Sequence, residues 1–234
     1  MNAEVTTGSG STLLRRDFAT LVPSNQGSGA LPWLNDEIVN MLFDRLVTAA
    51  NEREGYNKSD SKAVPPYHAF NTNFYNTVSK RGPEAVARWS KRARIDKEKL
   101  LQCEQILIPL NPGGHWQLVI VSPKSKVIEF LCSLHLDGDT TFKHIHNWLK
   151  MELGSLYDEG DWFEVVKQSR QQANMSDCGV FTCFNGIGRV AGYDLAFDPK
   201  SMPWEGRRQL AAILLNGGFK GEFDYFHKES KDGA

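Results

Sequence analysis

A chain of 234 residues, 41% hydrophobic and 24% charged, is long enough for one sizeable core, and a single domain is the expectation. Twenty-seven Lys and Arg against 28 Asp and Glu leave a net charge of −1, which gives no electrostatic case for nucleic acid or a membrane surface as partner. No apolar run approaches the roughly 18 residues of a spanning helix, the first residues lack the apolar core of an export signal, and four Cys without a CxxC argue against a disulfide framework or a zinc site.

An intracellular, reducing setting with free thiols and no metal or organic cofactor is therefore expected. Residues 1–11 are small and polar and read as a flexible arm, with the single domain over 12–234. Leu13 to Leu21 is a short mixed segment that could pack on the body, and Pro23 to Leu31 reads as loop. A clear helix opens at Asn35 or Asp36, either of which can cap it, with Ile38, Val39, Leu42, Phe43, Leu46 and Val47 as its buried stripe. Asn51 to Ala63 is charged and aperiodic, an exposed connection. After Pro65-Pro66, the residues Phe70, Phe74 and Val78 share a helical face, Gly82-Pro83 stops that helix, and Glu84 to Trp89 makes another short one.

The middle third changes period. Gln105–Leu110 is a short apolar strand, Asn111 to Gly114 a turn, and His115 to Ser122 the strongest strand in the chain. A four-residue turn leads to Val127–Leu134, so the pair should form an antiparallel hairpin. Thr140 to Leu153 is helical, Trp162 to Lys167 a further strand, and Trp204 to Leu215 a last helix. Helices, then strands, then helices give an α+β fold: a mostly antiparallel central sheet flanked by helices.

One stretch organises the rest, Gln171 to Arg189, QQANMSDCGVFTCFNGIGR. Ser176 and Asp177 are good helix starters, and Val180, Phe181, Phe184, Ile187 and Val190 continue at helical spacing. Cys178 then falls in the first turn, where the positive helix end favours thiolate, the nucleophilic form. A lone Cys beside an apolar helix is more often a core residue, and Cys183 is read that way. A nucleophilic Cys needs a base. Of six His, His68, His135, His144 and His227 sit in contexts typical of surface residues, and His146 is read as exposed on a helix. His115 differs, because a Gly-rich turn delivers it to the start of the strongest strand.

GGHWQLVIV, EFLCSL and QQANMSDCGVFTC, in that order, resemble the SUMO/sentrin-specific (ubiquitin-like-protein-specific) cysteine proteases, an adenain-like clan. WLND, FNTNFY, the IPLN strand and the closing DPKSMPWEGRRQLAAILL fit the same family, so the likeness runs from about Leu13 to the last helix. The resemblance implies an adenain-like cysteine protease fold. It implies a thiol protease that cleaves after the C-terminal Gly-Gly of a ubiquitin-like modifier, SUMO first, in maturation or in removal from lysine. It also implies Cys178 as nucleophile, His115 as general base and Gln172 as oxyanion-hole amide. Trp33 and Trp116 match two aromatics that close over the Gly-Gly tail, which only Gly can thread between flat rings. Asp36 falls at a contact with the modifier body. A monomer acting on the modifier and its conjugates, in the nucleus or at its periphery, is the implied setting.

One position departs from the family pattern. Cys132 stands before Ser133, where the family carries the acidic residue that orients the base; Asp137 and Asp139 follow but lie beyond that position. Three readings stay open: an active dyad with Cys132 as weak orienter, a slow or inactive binding module for the modifier, or a change introduced into an active chain. A NEDD8-directed protease and an acetyltransferase using the same Cys/His layout are weaker alternatives. A Cys132–Cys178 disulfide is not expected, since His115 must lie between the two thiols.

Overall fold

The structure, a computed structural model, describes residues 5–6, 12–22 and 31–226. Most of the expected N-terminal arm, the loop before Leu31 and His227 lie outside the described residues. Within the arm, β1 (Val5–Thr6) pairs antiparallel with β2 (Thr12–Leu13). Helix α1 (Arg15–Leu21) follows, anchored by Leu13 and Leu21, both fully buried.

Helix α2 (Asp36–Arg53) is capped by Asn35, whose Oδ1 accepts the Ile38 N–H at 3.1 Å. The amide of Asn35 also donates to Asp17 Oδ1 at 2.8 Å, so the cap is itself held from α1. Asp36 lies exposed in the first turn, where its charge complements the helix end. The stripe read from the sequence is buried, with Met41 and Ala50 added to it.

Five strands form the main sheet in the order β3 (Tyr67–Ala69), β4 (Gln105–Leu110), β5 (Gln117–Ser122), β6 (Val127–Leu131) and β7 (Phe163–Val165). The two central junctions are antiparallel, as the hairpin pattern predicts, while each edge strand joins in parallel. The parallel edges are three residues long and arrive through long crossings, so no local turn signal announces them. Pro109 is tolerated in β4 because β3 ends opposite Leu107: the side on which Pro109 lacks a donor has no neighbour to lose a bond.

Alternation along the strands divides the apolar side chains between two cores. Leu107, Leu118, Ile120 and Leu131 face α2, α6 (Cys178–Ala191) and α7 (Arg207–Leu215). Ile106, Ile108, Val119, Val121, Ile128 and Phe130 face α3 (Asn73–Arg81) and α5 (Asp139–Leu153), with α4 (Ala87–Ala93) beside them. Helix α6 is buried almost all round and packs closely on α2; a Cβ on Gly186 would sit 2.2 Å from Phe43 Cε1. Overpacking there costs about 1–3 kcal/mol or more, so Gly186 fixes how near α6 comes to α2.

Two histidines differ from their sequence expectation. His146 is buried, with Nδ1 2.6 Å from Tyr157 Oη and Nε2 2.9 Å from Glu164 Oε1, because its face of α5 turns to the segment before β7. His68 lies in β3, edge-on to Phe70 at 4.6 Å, and burial pushes its pKa down to about 4.

Candidate active site

The site lies where the β4–β5 turn, the loop after β6 and the start of α6 converge. Pro112 to Gly114 form a tight turn in which Gly113 (φ 66°) and Gly114 (φ 88°) take left-handed conformations. The chain leaves that turn extended at His115, two residues before β5 begins. Cys132 follows the last residue of β6, and its Sγ lies 3.3 Å from His115 Nε2. The same sulfur takes the backbone N–H of Leu134 at 3.4 Å.

Cys178 is the first residue of α6 and 2% exposed. The backbone N–H groups of Trp116, Gly179 and Cys178 itself favour its thiolate form. Cys178 belongs to the core on one side of the sheet and Cys132 to the core on the other, while His115, which meets Cys132, directly precedes Trp116, whose ring packs on Gly179. All four cysteines are free thiols, in keeping with that separation.

Burial dominates the electrostatics. It raises the Cys178 thiol pKa above its usual value; the N–H groups pull it back down, and the Asp177 charge adds to the rise. Burial also lowers His115, and no carboxylate stands beside the ring to hold a proton on it. The helix-end argument alone predicts a thiolate. In the structure desolvation opposes it: burial is the largest influence on both groups and disfavours the charged form of each.

Gln172 lies in the loop before α6, and its backbone N–H donates to Ser133 O at 3.1 Å. Its Oε1 accepts from Ser133 Oγ at 2.5 Å, and its Nε2 donates to Asn174 O. One amide proton thus remains for a further acceptor. Ser133 carries the loop after β6 and the loop before α6 together, which sequence reasoning did not single out.

Trp33 is half exposed, donates its indole N–H to Met175 O at 2.9 Å, and lays its ring against Gly114; a Cβ there would sit 2.9 Å from it. Trp116 is 1% exposed, with its indole N–H on Leu34 O at 2.9 Å and its ring against Gly179. Cys178, His115, Cys132, Gln172, Trp116 and Trp33 therefore gather at one end of the sheet. Asp36 lies three residues on from Trp33 and is exposed. Asp137 is drawn to Lys167 at 2.8 Å. Among the described residues no cluster of His, Cys, Asp and Glu is arranged to hold a metal ion.

Asp177 and Arg207 are the pair the sequence reading missed. Asp177 holds the cap position of α6, yet its side chain makes no capping bond. It is committed instead to Arg207, with both groups about 1% exposed.

The profile described as "Ulp1 protease family, C-terminal catalytic domain" matches residues 32–186. The chain is 29% identical over 208 residues to a sentrin-specific protease of Caenorhabditis elegans, covering 86% of this chain and 27% of the relative. It is 30% identical over 209 residues to ubiquitin-like-specific protease 1 of Saccharomyces cerevisiae, covering 88% of this chain and 30% of the relative. The chain thus spans less than a third of the length of these curated relatives. Among solved structures, the Ulp1-like SUMO protease catalytic domain of Chaetomium thermophilum superposes with a TM-score of 0.83 at 30% identity, over 95% of this chain and 87% of that one. The C-terminal Ulp1 protease domain in complex with Smt3, the yeast ortholog of SUMO, gives 0.70 at 27% identity, over 93% and 89%. Among the described residues, no helix is long and apolar enough to cross a membrane.

Proposed function

This chain belongs to the Ulp1 protease family, and from that premise we propose that it is a cysteine protease cleaving after the C-terminal Gly-Gly of SUMO, in precursors or in conjugates to lysine. The observation that carries the reading is Cys178 at the start of α6, with the His115–Trp116 turn packed on Gly179 and the Gln172 amide held by Ser133 and Asn174. The yeast relative crystallised with its SUMO ortholog supports SUMO as the modifier. A nuclear or perinuclear setting goes with that substrate.

The steps follow from groups already in place. The Gly-Gly tail runs extended beneath Trp33, with the buried Trp116 as floor, and brings its terminal carbonyl to Cys178. Cys178 Sγ attacks as His115 takes the thiol proton, so no charged pair need exist beforehand. The developing oxyanion is held by the Cys178 N–H and the remaining Gln172 amide proton, whose direction Ser133 fixes through Oε1. His115 gives its proton to the departing amine, and water then hydrolyses the thioester. Cys132 orients the ring in place of a carboxylate.

One observation favours a second reading. His115 has a sulfur at 3.3 Å where an orienting oxygen would strengthen it as a base, which fits a domain that binds the modifier without turning it over. A SUMO precursor extended past Gly-Gly and a SUMO–lysine isopeptide separate the two. The protease reading predicts cleavage after Gly-Gly that Cys178→Ala abolishes. Binding of mature SUMO without cleavage of either substrate overturns it and leaves the binding module.

A further inference from the structure

An Asp directly before a helix start ordinarily turns its carboxylate onto the first free N–H groups. Here that would be harmful, since the N–H groups of Cys178 and Gly179 help to lower the pKa of the nucleophile's thiol. Asp177 does not cap. Its Oδ1 accepts Arg207 Nε at 2.9 Å and Nη2 at 2.7 Å, and its Oδ2 accepts Asn174 Nδ2 at 2.6 Å. Arg207 reaches in from α7 and is itself pinned: Nη2 also donates to Ser176 O at 3.0 Å and Nη1 to Thr20 O at 2.8 Å. The Asn174 Oδ1 accepts the Ser176 and Asp177 N–H groups at 2.8 and 3.0 Å, which closes the loop that delivers Cys178.

We propose that Arg207 is a positioning residue: it turns the Asp177 carboxylate away from the start of α6 and offsets part of its charge beside Cys178 Sγ, leaving the first-turn N–H groups free for the sulfur and the oxyanion. The arrangement makes chemical sense only as a pair. A lone carboxylate next to the nucleophile would oppose thiolate formation, and a lone buried guanidinium would be left without its counter-charge. The other groups around Cys178 are accounted for. His115 approaches from the β4–β5 turn without a carboxylate partner, and Cys132 lies beyond it. Cys183, on α6 itself, is held protonated by burial. Asp36 and Glu37 at the start of α2 are exposed.

The inference rests on Cys178 being the nucleophile, but its test needs no modifier. Iodoacetamide alkylation of Cys178, followed across pH by peptide mass, reads the thiol pKa in the folded chain. Arg207→Gln should raise that pKa by about one unit, because the Asp177 charge is released. Asp177→Asn should lower it, because Arg207 then acts alone. The double variant Asp177→Asn/Arg207→Gln should return close to the wild type. Opposed shifts are the signature that a merely structural pair would not give. Shifts in the same direction, or an unmoved pKa in Asp177→Asn, overturn the proposal. Asp177→Asn and the double variant decide the matter even where Arg207→Gln alone does not fold.

Discussion

His115 Nε2 and Cys132 Sγ stand 3.3 Å apart, and the same sulfur also takes the Leu134 N–H at 3.4 Å. With His115 as the proposed base, a thiol occupies the place from which it would be oriented, held by a backbone donor that would serve a carboxylate equally well. Cys132→Asp puts a full charge there. We expect kcat to rise roughly tenfold or more with little change in KM, since the gain lies in the proton transfers. The Cys178 thiol pKa, read by alkylation, should fall as the imidazolium gains a partner. Steady-state kinetics on one modifier substrate checks the first expectation; an unchanged or lower kcat would remove Cys132 from the orienting role.

Trp33 is held by its N–H to Met175 O and by contact with Gly114, yet half of it faces solvent. Trp33→Ala should lower kcat/KM for a full-length modifier by roughly 30-fold, about 2 kcal/mol, as expected for an aromatic anchor. Iodoacetamide reactivity of Cys178 should stay unchanged. Equal loss in both measurements would mean that Trp33 holds the site together rather than the tail.

Gln172 offers a testable partition. Gln172→Ala should cost about 100-fold or more in kcat, as for removal of an oxyanion donor. Ser133→Ala, which frees the amide without deleting it, should cost less. If Ser133→Ala is the worse of the two, the loop contact rather than the amide proton carries the effect.

His68 makes stability fall in acid. Its pKa drops from the usual 6.5 unfolded to about 4 folded, so the unfolded chain binds a proton that the folded chain refuses between those values. The contribution is intact above about 6.5, declines as pH falls toward 4, and totals about 3–4 kcal/mol. Urea unfolding of wild type and His68→Phe at pH 7.5 and 4.5 checks this. The variant should lose less stability between the two; equal losses would exclude His68 as the source.

Much of this was legible because the signals were local. The period of β4 and β5, the stripe of α2 and the spacing after Cys178 each lie within one element, and each element formed, with β5 starting at Gln117 rather than at His115. The His115–Cys132 juxtaposition was implied by the family resemblance, not by any local pattern, and the structure brings the two side chains together. What escaped depends on contacts distant in sequence. Asp177 looks like a helix cap until Arg207, 30 residues on, claims it. His146 looks exposed until Tyr157 and Glu164 fold over it. The three-residue edge strands carry too few side chains to show a period, and only the sheet they join defines them.

The most direct measurement uses SUMO, NEDD8 and ubiquitin bearing a C-terminal electrophile, read by intact mass, with Cys178→Ala as control. A single adduct with the SUMO probe, lost in Cys178→Ala, is the expected result. No adduct with any probe in a chain that still binds mature SUMO would contradict it.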